Sequence, residues 1–314
     1  MNEKPKILIS SRSFGKINSD ALDLLKKNGL NPILNPYGRK LTEDEIIGLM
    51  DDAVGIIAGT ENITRKIIES NKNLKVISRY GIGLDNIDMG AVKQHNIIVY
   101  TTVETSSTAV AELTITLILT LLKKIRNVDI SLRNNQWKPE FGYMLNNKTV
   151  GILGLGNIGK KVVMLIRSFN VKILTFDIKP DKNFIKRYDI SVVSLDELLE
   201  KSDIVTIHIP LSNHTKHLLN KKNLSKMKET AFLINTARGG IVKEEDLYHI
   251  LREKRIAGAA IDVFENEPDV GKLKELDNVI LTPHIGTYTV ETRRDMEMET
   301  SANLINGLKR LKII

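Results

Sequence analysis

The chain of 314 residues contains no cysteine, and aromatic residues make up only 5% of it. Without cysteine the protein has no disulfide, thiolate nucleophile or cysteine-ligated metal site, which fits a reducing compartment such as the cytoplasm. Long apolar runs are also lacking. The longest, residues 110–122, contains Glu112 and three threonines and is shorter than the roughly 20 residues that span a bilayer. We expect neither a membrane span nor a signal peptide, since a short strand directly follows the N-terminal residues.

The sequence also lacks clusters of positive charge, although 46 Lys and Arg against 38 Asp and Glu give a net charge of +8. The basic residues are scattered, and no basic helix face is interleaved with aromatic residues. We therefore expect a small anionic substrate and no nucleic-acid partner. We expect no metal either, because His214 and His217 have no further clustered ligand.

Strand and helix patterns alternate along the chain, whose length allows about two domains. Candidate strands cover residues 6–10, 32–35, 55–58, 75–79, 97–100, 149–153, 171–177, 203–209, 231–235, 256–263 and 279–282. The rhythm predicts an α/β protein with doubly wound parallel sheets. A long apolar helix, residues 106–124, separates the two sets of strands, and Thr42 and Glu45 form a capping box before another helix. The closing helix, residues 290–308, is expected to pack on the first set.

A glycine-rich turn follows the candidate strand at residues 149–153. Gly154, Gly156 and Gly159 have the G-x-G-x-x-G spacing, which allows a tight turn, close approach of a pyrophosphate and close helix packing. Asp177 ends the next strand, 18 residues past Gly159 (177 − 159). An acid at this point accepts both ribose hydroxyls of NAD and repels a 2′-phosphate. The pattern favours NAD over NADP, although Lys179 lies close enough in sequence to tolerate a phosphate.

Three further polar residues, Arg238, Glu267 and His284, each follow a candidate strand. In a parallel sheet those strand ends share the edge that carries the glycine turn, so the three side chains can converge. A histidine can move a proton to or from a carbonyl oxygen, a carboxylate can fix its tautomer, and an arginine can bind a substrate carboxylate. Gly81 and Gly83 follow the candidate strand at residues 75–79. Their backbone amides either bind a substrate carboxylate or belong to a purely structural turn.

The chain resembles the D-isomer-specific 2-hydroxyacid dehydrogenase family over nearly its whole length. The segments that carry the resemblance are residues 78–88, 110–112, 154–159, 208–210, 235–239, 262–268 and 283–286. The resemblance implies an NAD-binding Rossmann domain, residues 101–286, inserted into a discontinuous flavodoxin-like substrate domain, residues 1–100 and 287–314. It also implies a homodimer, through the helix around Val110.

The resemblance implies a role for each of several residues. The catalytic set is Arg238, Glu267 and His284. The substrate-binding set is Tyr80, Gly81, Ile82, Arg238 and His284. The cofactor-binding set is Thr108, Gly154, Gly156, Asn157, Ile158, Gly159, Asp177, His208, Pro210, Thr236, Ala237 and Asp262.

The substrate predicted from the resemblance is D-3-phosphoglycerate, oxidised to 3-phosphohydroxypyruvate in serine biosynthesis. Hydroxypyruvate or glyoxylate reduction is the alternative, because residues 58–64 lack the arginines that phosphoglycerate enzymes often carry there. Arg79, Lys138 and Arg294 remain as candidate phosphate ligands. Residues 103–108 also depart from the family pattern. An NAD(H)-sensing module of corepressor type is the alternative from another functional class. The end of the chain at Ile314 leads us to expect no regulatory C-terminal domain.

Overall fold

The computed structural model describes residues 4–102 and 105–314. Residues 103 and 104, part of the segment that departs from the family pattern, lie outside the described chain, as do residues 1–3. Two compact units are present, Met1–Ser106 with Thr287–Ile314, and Ser107–Gly286. Within the described ranges, no helix combines the length and apolar character needed to cross a membrane.

The strands and helices follow one another in nearly strict alternation. The strands are β1 (Lys6–Ile9), β2 (Asn31–Leu34), β3 (Gly55–Ala58), β4 (Val76–Arg79), β5 (Ile98–Thr101), β6 (Thr149–Leu153), β7 (Lys172–Phe176), β8 (Ser191–Val192), β9 (Ile204–Ile207), β10 (Phe232–Asn235), β11 (Gly258–Ile261) and β12 (Val279–Leu281). The helices are α1 (Asp20–Lys27), α2 (Glu43–Met50), α3 (Arg65–Ser70), α4 (Met89–Gln94), α5 (Thr105–Leu122), α6 (Ile125–Arg133), α7 (Asn157–Ile166), α8 (Lys182–Tyr188), α9 (Leu195–Lys201), α10 (Lys221–Leu224), α11 (Glu244–Arg252) and α12 (Val290–Arg310).

Each unit contains one parallel sheet within the described residues. The first unit has five strands in the order β2-β1-β3-β4-β5, and α12 packs against β3, β4 and β5. The second has seven strands in the order β12-β11-β10-β9-β6-β7-β8. Counted from β6, the second order is that of a dinucleotide-binding sheet, and the first is that of flavodoxin. The predicted fold class is confirmed.

The central strands are buried along their whole length because helices cover both faces of each sheet. All four residues of β3, β4, β9, β10 and β11 are buried. Local signals fix several helix ends as predicted. The Thr42 hydroxyl accepts from the Glu45 amide, and the Glu45 carboxylate accepts from the Thr42 amide, which forms the capping box at α2.

The segment after α5 differs from the sequence expectation. Residues 125–133 form helix α6, which buries none of its residues and which the sequence patterns did not predict. In the segment that follows, Trp137 is 89% exposed. The two-residue strand β8 was also missed, since it is too short to show a pattern.

The turn between β6 and α7 depends on the absence of two Cβ atoms. Gly154 has a φ of +96°, and a Cβ there would lie 2.6 Å from Ile209 Cγ2. A Cβ on Gly159 would lie 2.2 Å from the Gly154 carbonyl oxygen, whereas one on Gly156 meets nothing within 4 Å. The first and third glycines are therefore required by packing, and Gly156 borders open space.

We expect Gly159→Ala to lower the free energy of unfolding by about 3 kcal/mol or more, because backbone must shift to accept the methyl group. Gly156→Ala is the matched control and should change it by less than about 1 kcal/mol. Urea unfolding of both variants measures the difference. Equal stability of the two variants would contradict the packing role of Gly159.

Candidate active site

The glycine turn lies at the carboxyl end of β6, in the middle of the seven-stranded sheet. The Gly154 amide donates to the Phe176 carbonyl oxygen at 2.9 Å. Asn157 and Ile158 are the first residues of α7, and Gly156 is its N-cap. The first amides of this ten-residue helix face the open space at Gly156, where an anionic group finds free donors and the positive end of the helix dipole.

Asp177 binds this turn through one carboxylate oxygen and its own loop through the other. Oδ2 accepts from the Leu155 amide at 2.6 Å, and Oδ1 accepts from the Lys179 amide at 2.7 Å. Each oxygen keeps a further lone pair for a ribose hydroxyl. The Gly156 space and the Asp177 acceptors therefore fit a dinucleotide, with the adenosine ribose at Asp177.

His208 follows β9, the strand next to β6. Its Nε2 lies 2.9 Å from the Thr206 hydroxyl, and its Nδ1 is buried with no partner among the described residues. Burial lowers the pKa of His208 to about 3, so the ring is neutral at physiological pH. His208 can therefore take part in hydrogen bonds at this edge but contributes no positive charge.

The loop after β10 is held by its own side chains. Asn235 donates through Nδ2 to the Arg238 carbonyl oxygen at 2.9 Å and accepts from the Ala237 amide at 3.1 Å. The Thr236 hydroxyl lies 3.0 Å from that of Thr114 on α5. Arg238 is half-buried, and its Nη1 donates to the Ala237 carbonyl oxygen at 2.7 Å. The guanidinium is thereby held at the carboxyl end of β10.

Asp262, the first residue after β11, shapes the loop that carries His284. Its carboxylate accepts from the Thr282 hydroxyl at 2.6 Å and from the amides of Ile285 and Gly286 at 2.8 and 3.0 Å. Burial raises the pKa of Asp262, and these hydrogen bonds act in the opposite direction. Asp262 was predicted to contact the cofactor, and this loop contact was not foreseen.

His284 and Glu267 form the central pair of the candidate active site. His284 Nδ1 lies 2.9 Å from Glu267 Oε1 and 3.0 Å from Oε2. The His284 backbone is left-handed, with a φ of +55°, and its amide donates to the Asp262 carbonyl oxygen at 2.9 Å. The His284 side chain is 39% exposed, and no described residue hydrogen-bonds its Nε2. The free ring nitrogen is thus open to a substrate.

In the first unit, the predicted substrate residues follow β4. The Tyr80 ring is buried, its hydroxyl donates to Glu297 Oε1 at 3.2 Å, and burial raises its pKa. The Gly81 amide donates to the Arg79 carbonyl oxygen at 2.9 Å. The amide of the exposed Ile82 has no acceptor among the described residues and is an open donor of this loop.

The other predicted cofactor residues lie at the surface of the second unit. Thr108 is exposed near the start of α5, and Pro210 is exposed two residues past His208. The cofactor contacts of Thr108 and Pro210 stay predictions. Across the described ranges, no group of three or more His, Asp or Glu side chains is arranged to hold a metal ion.

Residues 115–286 match the family model described as "D-isomer specific 2-hydroxyacid dehydrogenase, NAD binding domain". A glyoxylate reductase of Thermofilum pendens is 44% identical over 265 residues, which cover 80% of this chain and 76% of the relative. A hydroxypyruvate reductase of Thermotoga maritima is 38% identical, with 85% and 89% covered. A D-3-phosphoglycerate dehydrogenase of Methanocaldococcus jannaschii is 36% identical over 92% of this chain, which spans 55% of that relative's length.

Among solved structures, the D-lactate dehydrogenase of Aquifex aeolicus, complexed with NAD and lactic acid, matches with a TM-score of 0.85. It is 29% identical, and the match covers 98% of this chain and 97% of that one. The strand order of the seven-stranded sheet agrees with the NAD-binding domain that this family model describes. The chain therefore belongs to the D-isomer specific 2-hydroxyacid dehydrogenase family, and it is an NAD-dependent oxidoreductase acting on a CH–OH group.

Proposed function

We propose that the protein interconverts a short D-2-hydroxy acid and its 2-keto acid, with His284 as the acid/base, Glu267 as its partner and Arg238 as the substrate-binding cation. The observation that carries this proposal is the His284–Glu267 pair. Its contacts of 2.9 and 3.0 Å occupy Nδ1 and leave Nε2 open. A ring held in this way has one nitrogen committed to orientation and the other available for proton transfer.

Glu267 accepts the Nδ1–H bond and so selects the tautomer in which Nε2 carries a lone pair. When the hydroxy acid is oxidised, Nε2 takes the proton of the hydroxyl group, and the Glu267 carboxylate stabilises the resulting imidazolium. In the reverse direction Nε2 returns the proton to the carbonyl oxygen. A dinucleotide bound at the glycine turn would supply the hydride acceptor for oxidation as NAD and the hydride donor for reduction as NADH.

Arg238 binds the carboxylate of the substrate. Its Nη1 bond to the Ala237 carbonyl oxygen limits rotation of the guanidinium. A planar guanidinium matches a carboxylate through two parallel hydrogen bonds. In the first unit, the open amide of Ile82 is the proposed backbone contact. The Tyr80 side chain is committed to Glu297, so we restrict the predicted role of Tyr80 to its backbone.

The substrate that we propose is unphosphorylated, hydroxypyruvate or glyoxylate in the reducing direction. Arg79, a phosphate candidate in the sequence, is buried and donates to the carbonyl oxygens of Gly83, Ala58 and Tyr80. Arg294 lies 3.7 Å from Asp20. Arg79 and Arg294 are thus engaged by other groups, and Lys138, the third candidate from the sequence, is exposed in the second unit. D-3-phosphoglycerate remains the second candidate, because phosphoglycerate dehydrogenase relatives match up to 95% of this chain.

We expect purified protein to oxidise NADH with hydroxypyruvate or glyoxylate at a kcat/KM at least tenfold above that with phosphohydroxypyruvate. The reason is that Arg79 and Arg294 are already engaged by other groups. An absorbance assay with all three acids measures the ratio. A preference for the phosphorylated acid would reverse the proposed substrate, and NADH binding without turnover would favour the sensing module.

The same assay includes His284→Ala, which should lower kcat by roughly two to four orders of magnitude if His284 moves the proton. NADH fluorescence should show unchanged cofactor affinity in this variant. His249→Ala on α11 is the matched control and should keep full turnover. Turnover by His284→Ala at the wild-type rate would exclude this mechanism.

We propose that Asp177 selects NAD. Asp177→Asn should lower kcat/KM for NAD and raise kcat/KM for NADP relative to it. The reason is that the substitution removes the negative charge that repels a 2′-phosphate. The kcat/KM ratio for the two cofactors measures the change, which we expect to be at least tenfold. Asp181→Asn, at the start of α8, removes the same charge at an exposed position and is the control. If the kcat/KM ratio for NAD and NADP is unaltered in Asp177→Asn, other groups bind the ribose hydroxyls and select the cofactor.

We also propose a homodimer, in a cytoplasmic protein. Supporting it, the segment from α6 onwards exposes many apolar side chains to solvent. They are Ile125, Ile130, Leu132, Trp137, Phe141 and Met144, and Phe141 is 98% exposed. An apolar concentration of this kind on a folded surface is typical of a protein interface. A second copy of the chain is the occupant that we propose.

We expect the wild-type protein to sediment at twice the mass of the chain. The double substitution Trp137→Ser and Phe141→Ser should raise the dimer dissociation constant at least about 30-fold, as for loss of interface anchors. Tyr37→Ser, which changes an exposed aromatic residue of the first unit, should leave it unaltered. A monomeric wild type, or a double variant as tightly dimeric as the wild type, would contradict this interface.

A further inference from the structure

The carboxylate of Glu265, in the loop after β11, binds the start of helix α11. The N-cap residue of this helix is Lys243, whose side chain cannot accept a hydrogen bond. The Glu244 amide is one of the first amides of the helix, which lack an acceptor inside it, and it donates to Glu265 Oε1 at 3.0 Å. The helix dipole also favours a carboxylate at this end. The proposed mechanism uses neither glutamate.

Glu244 returns this contact with its own side chain. Its Oε1 accepts a hydrogen bond from the Glu265 amide. Two reciprocal bonds, each between the side chain of one glutamate and the backbone of the other, therefore bridge α11 and the loop. Residues 265, 266, 268 and 269 are exposed, and the loop borders a cleft of about 330 Å³. Because packing holds these residues little, the position of the loop depends on hydrogen bonds such as this bridge.

The bridge lies beside the segment that carries Arg238. A Cβ on the buried Gly239, the next residue, would lie 2.1 Å from the carbonyl carbon of Phe264 and 2.5 Å from the amide nitrogen of Glu265. The backbones of the two loops therefore touch at the amide that Glu244 binds. This contact holds the loop after β11 against the segment that follows Arg238.

The backbone of the same loop also contacts the Glu267 carboxylate. The Phe264 amide, one residue before Glu265, donates to Glu267 Oε1 at 3.3 Å. The same oxygen lies 2.9 Å from His284 Nδ1. A shift of the backbone at residues 264 and 265 would therefore move the oxygen that orients the histidine ring.

We propose that Glu244 is a positioning residue, which holds the loop after β11 through the Glu265 amide so that Glu267 faces His284. This inference rests on the proposed function and adds a residue to the same site. All four residues belong to the second unit. Glu244 does not touch the substrate, and it acts on proton transfer only through the place of the Glu267 carboxylate.

The role of Glu244 needs an oxygen acceptor and not a negative charge. Burial raises the pKa of the Glu244 carboxyl, and the charges of the neighbouring carboxylates act in the same direction. A negative charge at this position is therefore unfavourable. A glutamine would keep an acceptor oxygen for the Glu265 amide without that charge.

We expect Glu244→Ala to lower kcat for hydroxypyruvate reduction about ten- to hundredfold, as for a small misplacement of a catalytic group. Glu244→Gln should stay within about threefold of the wild type, because it keeps the acceptor. NADH fluorescence should show the same cofactor affinity in both variants. Glu245→Ala removes an exposed carboxylate from the next position of α11, and this matched control should keep full turnover. Full turnover in Glu244→Ala, or an equal loss in Glu244→Gln, would overturn this inference.

A double substitution separates the positioning of Glu267 from an independent effect on the fold. Glu267→Ala removes the carboxylate that Glu244 positions and should by itself lower kcat about ten- to hundredfold. Adding Glu244→Ala should then lower kcat by less than about threefold more, since residues that act through one contact are not additive. A further loss as large as in the wild-type background would overturn this inference while the proposed reaction stands. Wild-type turnover by Glu267→Ala would overturn the proposed mechanism, and this inference with it.

Discussion

The carboxylate of Asp262 binds the loop that presents His284, and the geometry of the candidate active site depends on this contact. Three donors, the Thr282 hydroxyl and the amides of Ile285 and Gly286, converge on it in a buried position. Because these bonds close the loop, His284 is held in a left-handed backbone conformation that an isolated peptide rarely adopts. The ring then meets Glu267 with both carboxylate oxygens in reach. All three donors to the buried Asp262 belong to the loop after β12. Asp262 thus orients His284, the residue proposed for proton transfer.

Parallel strands bring the remaining parts of the candidate site to one edge of the sheet. Strands β9, β10, β11 and β12 pair in sequence with β6, so the loops after them open at the same edge as the glycine turn. Arg238, Glu267 and His284 each follow one of these strands and need only short loops to face the same region. The parallel sheet therefore determines where the loops lie, and the loop residues carry the proposed chemistry.

Local sequence patterns predict much of this arrangement. Buried strands such as β3 show as short apolar runs, the capping box of α2 shows as Thr42 and Glu45, and the glycine spacing marks the turn before α7. Features that depend on distant partners left no such signal. The acceptors of Arg79 are backbone carbonyls of loops brought close only by folding, so its side chain looked free for a phosphate. Helix α6 was not predicted, because charged and apolar residues alternate irregularly along it and none of them is buried.

Asp177 combines two tasks in one side chain. Its oxygens hold the amides of Leu155 and Lys179, while the charge on the same oxygens is what we propose distinguishes the two forms of the cofactor. An evolutionary change of cofactor preference at this position would consequently be epistatic. Any lineage that replaced the acid would also loosen the turn, and it would need a compensating substitution nearby before the new preference became useful.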